Sequence, residues 1–102
     1  MVSALASHKA ELIELCRKYH VRRLEAFGSA TGSQFDSGQS DYDFLVEPGD
    51  VPPGEYADAF FGFKEELEKL LGRPVDLVIL SAVRNPFFLQ RIEQSRALVY
   101  AA

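Results

Sequence analysis

The sequence predicts an α/β domain of the α+β kind, a small mixed sheet with helices packed on it, in the order α-β-β-α-β-α. Two observations carry this. Tyr56, Ala59, Phe60, Phe63, Leu67, Leu70 and Leu71 fall on one stripe at helical spacing. Tyr42-Asp43-Phe44-Leu45-Val46 and Val75-Asp76-Leu77-Val78-Ile79-Leu80 are short apolar runs bounded by turn residues, as strands are. Elements of both kinds, interleaved in this way, imply a mixed sheet with helices on it.

Each element has its own reason. Leu5, Leu12, Leu15, Cys16 and Tyr19 recur at helical spacing behind Ser3, a candidate N-cap, so the first helix is expected over 3–19. Val21, Leu24, Ala26 and Phe27 make 21–28 a first strand ending at Gly28. Residues 28–40 are rich in glycine, serine and threonine and read as loop, with room for one helical turn after Ser29. The second strand is expected over 42–46, followed by the connection EPGDVPPGE.

The long helix stops at Gly72 and Pro74, residues that belong just past a C-terminus. The third strand, 75–80, is almost wholly apolar, which suits a central strand covered on both faces. Asn85 followed by Pro86 marks the last helix, N-cap then first helical position, running to about Arg96. The tail Leu98-Val99-Tyr100 can add a short edge strand. Residues 1–102 read as one domain, without repeat or linker.

Bulk composition excludes several classes. Apolar content of 47% and charged content of 25% are those of a folded globular chain. A formal net charge of −4 opposes direct DNA binding, which rests on neutralising phosphates. Cys16 is the only cysteine, so neither an intrachain disulfide nor a thiolate metal cluster is expected, and an inert buried thiol is. No apolar run approaches a membrane span, and the start turns polar too soon for a signal peptide, so a cytoplasmic protein is expected. His8 and His20 lack a carboxylate or cysteine partner at ligand spacing and suit helix ends. Lys64, Glu65, Glu66, Glu68 and Lys69 read as a solvated helix face; Phe61 and Phe87 are candidates for an exposed partner or homodimer contact.

The chemistry concentrates in carboxylates. Asp41 and Asp43 project to one side of a strand, with Tyr42 on the other. Two ionised carboxylates so close repel, and a divalent cation offsets that best; Mg²⁺ takes one or two carboxylates plus substrate phosphates. Asp76 interrupts an apolar strand, where burial costs unless the acid is paired or metal-bound. If the third strand lies beside the second, all three acids can converge. Each piece alone has a plainer reading: a solvated turn for Asp41 and Asp43, a frayed strand end or an Arg73 partner for Asp76. Upstream, Gly28-Ser29 leaves a strand, and the backbone N–H groups of such a turn can hold a phosphate. It is neither a Walker A loop nor a dinucleotide fingerprint.

Phe27-Gly28-Ser29, the spacer 30–40 and Asp41-Tyr42-Asp43-Phe44 together resemble the signature of the DNA polymerase β-like nucleotidyltransferase superfamily, and within it the minimal nucleotidyltransferase (MNT) domains. Leu45-Val46-Glu47, Gly72-Arg73-Pro74-Val75-Asp76-Leu77-Val78 and Arg84-Asn85-Pro86-Phe87 extend the resemblance over nearly the whole chain. It implies the polymerase β-like fold and a nucleoside triphosphate, ATP or another, bound with two Mg²⁺. Gly28 and Ser29 would hold the β/γ-phosphates; Asp41, Asp43 and Asp76 would ligate metal, Asp76 also helping to activate the acceptor hydroxyl. Attack would fall on the α-phosphorus.

Many such proteins are antitoxins paired with a HEPN-domain RNase toxin, and some transfer AMP to a tyrosine of it. The resemblance thus implies an adenylyltransferase with a HEPN toxin as partner. A non-catalytic module that covers its toxin, and nucleotidyl transfer to a small molecule, are the alternatives. One departure stands out. Gly28-Ser29-Ala30-Thr31-Gly32 is one residue shorter than the family's Gly-Ser-x-Ala-Arg-Gly and lacks its arginine, which implies weaker nucleotide binding unless Arg22, Arg23 or Arg84 substitutes.

Overall fold

The computed structural model describes residues 3–28 and 41–102. Its elements are α1 (Ser3–Ser7), α2 (Lys9–Lys18), β1 (Val21–Phe27), β2 (Tyr42–Pro48), α3 (Tyr56–Leu71), β3 (Val75–Val78), a 3₁₀ turn (Leu80–Ala82), α4 (Pro86–Ser95) and β4 (Ala97–Ala101). The expected order holds, with the last strand added. The sheet is mixed, in the order β3-β2-β1-β4. β1 runs antiparallel to β2 and β4, while β3 returns parallel to β2 after the α3 crossover.

Strand alternation sorts the core onto two faces. On one, Leu24, Ala26, Tyr42, Phe44, Val46, Val75 and Val99 pack against Leu5, Leu12 and Cys16 of α1 and α2 and against Phe63 and Leu67 of α3. On the other, Phe27 and Leu45 meet Ile92 of α4, with Val78, Leu80, Val83 and Phe88 around them. Cys16 is fully buried, and that burial pushes its thiol up to about 12, so it is inert as expected.

Four expectations need correction. The first helix breaks at His8, whose φ of −106° and ψ of 19° leave the helical region. His8 opens α2 and does find a carboxylate, its Nδ1 lying 2.8 Å from Glu11 Oε2. The third strand ends at Val78, where its ladder with β2 ends. β3 is also an edge strand rather than a central one. Its apolar run reports cover on both faces, Val75 and Leu77 in the first cluster and Val78 in the second, and says nothing about neighbours on both sides.

Both expected caps form. Gly72 closes α3 in the left-handed region at φ 71°, its N–H donating to Glu68 O at 2.9 Å. Asn85 Oδ1 accepts from Phe87 N at 2.9 Å and Phe88 N at 3.3 Å. The solvated face of α3 has one further use: Glu68 Oε2 accepts from Val75 N at 3.0 Å and so pins the start of β3. Phe61 and Phe87 are exposed. Among the described residues no helix is long and apolar enough to cross a membrane.

Candidate functional site

The pairing of the strands brings distant acids together. β1 pairs Phe27 with Asp43, and β3 pairs Asp76 with Asp43, so all three lie in one row across the sheet. Residues paired in this way present side chains to the same face. Asp43 is half-buried there; Asp76, on the edge strand, is exposed, and Asp41 sits exposed just before β2. The expected convergence therefore holds for Asp43 and Asp76. The expectation that Asp76 bears the cost of burial does not hold, because its strand has an open edge. Asp43 bears it instead.

The electrostatics follow. Burial first, then Asp76 and Asp41, push the Asp43 carboxyl up to about 6, with Arg91 opposing them. Asp41 leans elsewhere: Arg73 Nη2 lies 3.5 Å from its Oδ1. Sequence reasoning offered Arg73 to Asp76, but the guanidinium is on the other acid. Among the described residues no three acidic, histidine or cysteine side chains are drawn together into a ready-made metal cage.

Gly28 meets Asp43 from the first strand. Its φ is +66°, and a Cβ built there would lie 2.9 Å from Asp43 Oδ2. Glycine is thus required twice, for the left-handed backbone and for the close approach. The Gly28 N–H donates to Ser95 Oγ at 2.8 Å, so this amide is spent on anchoring α4. Ser29 and the shortened segment 30–32 lie outside the described residues.

Gly28→Ala is expected to lower stability by about 1–2 kcal/mol, mostly as left-handed strain. Because the clash falls on the movable end of Asp43, function should suffer more, with transfer slowed about 100-fold by an Asp43 displaced on the order of 1 Å. Urea unfolding and initial transfer rates check the two effects; unchanged transfer would remove Gly28 from the site.

The arginines offered in place of the missing loop arginine are engaged with other partners. Arg22 Nη1 lies 3.8 Å from Glu47 Oε1 at the far end of the sheet, Arg23 Nη2 pairs with Glu25 Oε1 at 3.1 Å, and Arg84 Nη1 donates to Ser81 O at 3.1 Å. Arg91, Ser95 and Glu68 were missed. No motif marks them, since each acts through a partner brought close only by folding. A groove of about 370 Å³ lies on the same sheet face near Glu25 and Arg96, away from the acids.

Comparison with known proteins gives the setting. The family model described as "Nucleotidyltransferase domain" matches residues 10–99. A Methanocaldococcus jannaschii protein, provisionally named a protein adenylyltransferase, is 38% identical over 96 residues, covering 94% of this chain and 89% of its own. The protein adenylyltransferase MntA of Thermococcus cleftensis is 36% identical over 83 residues, covering 81% of this chain and 77% of its own. A chain from the complex of tri-AMPylated Shewanella oneidensis HEPN toxin with MNT antitoxin superposes with a TM-score of 0.63 at 19% identity, over 96% of this chain and 73% of that one. At that identity the likeness is one of fold.

Proposed function

This chain belongs to the nucleotidyltransferase domain family, and we propose that it is a Mg²⁺-dependent protein adenylyltransferase, passing AMP from ATP to a tyrosine hydroxyl of a HEPN-domain toxin and so acting as its antitoxin. The observation that carries this reading is the pairing of Asp43 with Asp76 across β2 and β3, with the Gly28 backbone closed against Asp43. The names of the two relatives support a protein acceptor. The toxin–antitoxin complex that shares the fold supports the HEPN class.

The residues fit the metal by chemistry. Asp43, Asp76 and Asp41 offer hard oxygen donors, and Mg²⁺ uses one or two carboxylates with substrate phosphates completing its shell. The raised Asp43 carboxyl is what an added cation relieves. Bound Mg²⁺ supplies charge neutralisation and orientation of the triphosphate. Gly28 and Ser29 are the residues proposed to hold the phosphate end. The acceptor oxygen then bonds to the α-phosphorus as the bond from that phosphorus to the α,β-bridging oxygen breaks. Pyrophosphate leaves with the electron pair, and the acceptor proton passes to Asp76 or to water.

The test mixes the protein, α-labelled ATP, Mg²⁺ and the HEPN product of the neighbouring gene. Label on a HEPN tyrosine, absent with EDTA, and loss of RNase activity are expected. RNase inhibition without label would favour a binding-only antitoxin; label on an aminoglycoside alone would favour a small-molecule acceptor.

A further inference from the structure

We propose that Arg91 is the arginine that grips the β- and γ-phosphates in this site, standing on α4 where the family's loop would carry its own. The proposal rests on the nucleotidyltransferase reading above and assigns one residue within it. Four observations lead to it.

First, Arg91 is placed by the fold. Phe88 and Ile92 seat α4 on the sheet, the Phe88 ring 6.0 Å from that of Phe27. Ser95, one turn beyond Arg91, holds the Gly28 amide at 2.8 Å and donates to Arg91 O at 3.1 Å. Residues four apart share a helix face, so Arg91 and Ser95 look towards the same end of the sheet. Gly28 in turn touches the position of Asp43. The proposed phosphate end and Arg91 therefore flank one point.

Second, Arg91 is uncommitted. Arg17, Arg22, Arg23, Arg73 and Arg96 each lie within ion-pair range of a carboxylate, and Arg84 donates to a carbonyl. Among the described residues the exposed Arg91 guanidinium has neither kind of partner. Third, its charge is already felt at Asp43, where it opposes the push of burial and of the other acids. Fourth, Asp43 and Asp76 set negative charge beside the proposed triphosphate, and Arg73 is held by Asp41. An arginine presents a fork that matches phosphate oxygens two at a time.

The experiment measures ATP and AMP binding to the whole protein in the presence of Mg²⁺, for wild type, Arg91→Ala, Arg91→Lys and Arg84→Ala. Arg91→Ala is expected to weaken ATP about 10- to 100-fold, the value of charge-assisted hydrogen bonds, and to leave AMP unchanged. Arg91→Lys should recover part of the loss, and Arg84→Ala should bind ATP like wild type. Thermal melts should stay close for all four, since Arg91 is exposed. Wild-type ATP affinity in Arg91→Ala overturns the proposal and leaves the nucleotidyltransferase reading intact. Equal losses for ATP and AMP overturn the assignment to the β- and γ-phosphates. A wild-type protein that binds no ATP overturns the reading itself, and the proposal with it.

Discussion

Replacing Asp43 with Asn is expected to abolish AMP transfer and, in the same protein, to raise stability above pH 6. The two effects have one cause. Asp43 is held half-buried beside Asp76 and within reach of Asp41, so burial first and the neighbouring charges second push its carboxyl up to about 6. A folded-state value above the unfolded one means stability is fully present below about pH 4 and is lost as pH rises through about 6. At pH 7.5 the ionised acid therefore costs on the order of 1–2 kcal/mol, after a discount for the solvent that reaches it. Asn keeps the shape and removes the charge.

Without metal, Asp43→Asn should match wild type at pH 4 and gain about 5–10 °C in melting temperature at pH 7.5. Mg²⁺ with ATP should stabilise wild type and leave the variant nearly unmoved. Transfer should fall about a thousandfold or more, the scale of losing a group that positions charge at the reacting phosphorus. The measurements are differential scanning at the two pH values and single-turnover transfer. A variant that melts like wild type at pH 7.5 would show that the acids do not strain one another. One that still transfers AMP would remove Asp43 from the chemistry.

Such a site keeps a charge that costs the fold stability, and that is why part of it was legible in the sequence. Asp41 and Asp43 stood out as like charges one residue apart at the start of a strand, and Asp76 as the acid in an apolar run. Gly28 stood out as the glycine of a Gly-Ser turn leaving a strand; its φ and its close approach to Asp43 came only with the fold. The elements were legible for a related reason: stripe spacing, caps at Asn85 and Gly72, and two short apolar runs are local signals. What local signals cannot carry is the partner. The apolarity of β3 is the same whether it lies inside the sheet or at its edge, because helices and not strands cover its faces. Arg91 looks like any surface arginine until Ser95 meets Gly28 across 67 residues of sequence. The misplacement of the candidate arginines had the same origin, since nothing in the sequence says which end of the sheet Arg22 or Arg23 occupies.

Glu25→Ala is expected to be the largest purely structural loss at a polar position, about 2–3 kcal/mol. Glu25 is the buried charged residue of the sheet, and its side chain is only 7% exposed. Burial pushes its carboxyl up, but Arg96 and Arg23 more than offset this and hold it below the usual carboxylate range. Arg96 Nη2 and Nε reach Oε2 at 2.6 and 3.0 Å, and Arg23 Nη2 reaches Oε1 at 3.1 Å. Removing the acid leaves two cations with one fewer anion, although both can turn towards water, which limits the cost. A depressed value contributes stability above the unfolded carboxylate range and loses it as pH falls. The gap between Glu25→Ala and wild type should thus be full at pH 7 and shrink towards pH 3. Urea titrations at both pH values check it, and equal stability at pH 7 would refute it. The consequence reaches the site as well. Arg96 caps the C-terminal end of α4, one residue past Ser95, and also pairs with Glu93. Glu25 therefore ties that end of α4 to β1. Releasing the tie frees Ser95 and, through it, the stance of Arg91 beside Asp43. Glu25→Ala should accordingly raise the KM for ATP more than it lowers kcat, whereas Asp43→Asn strikes kcat itself. That split separates a residue that holds the helix from one that serves the reaction.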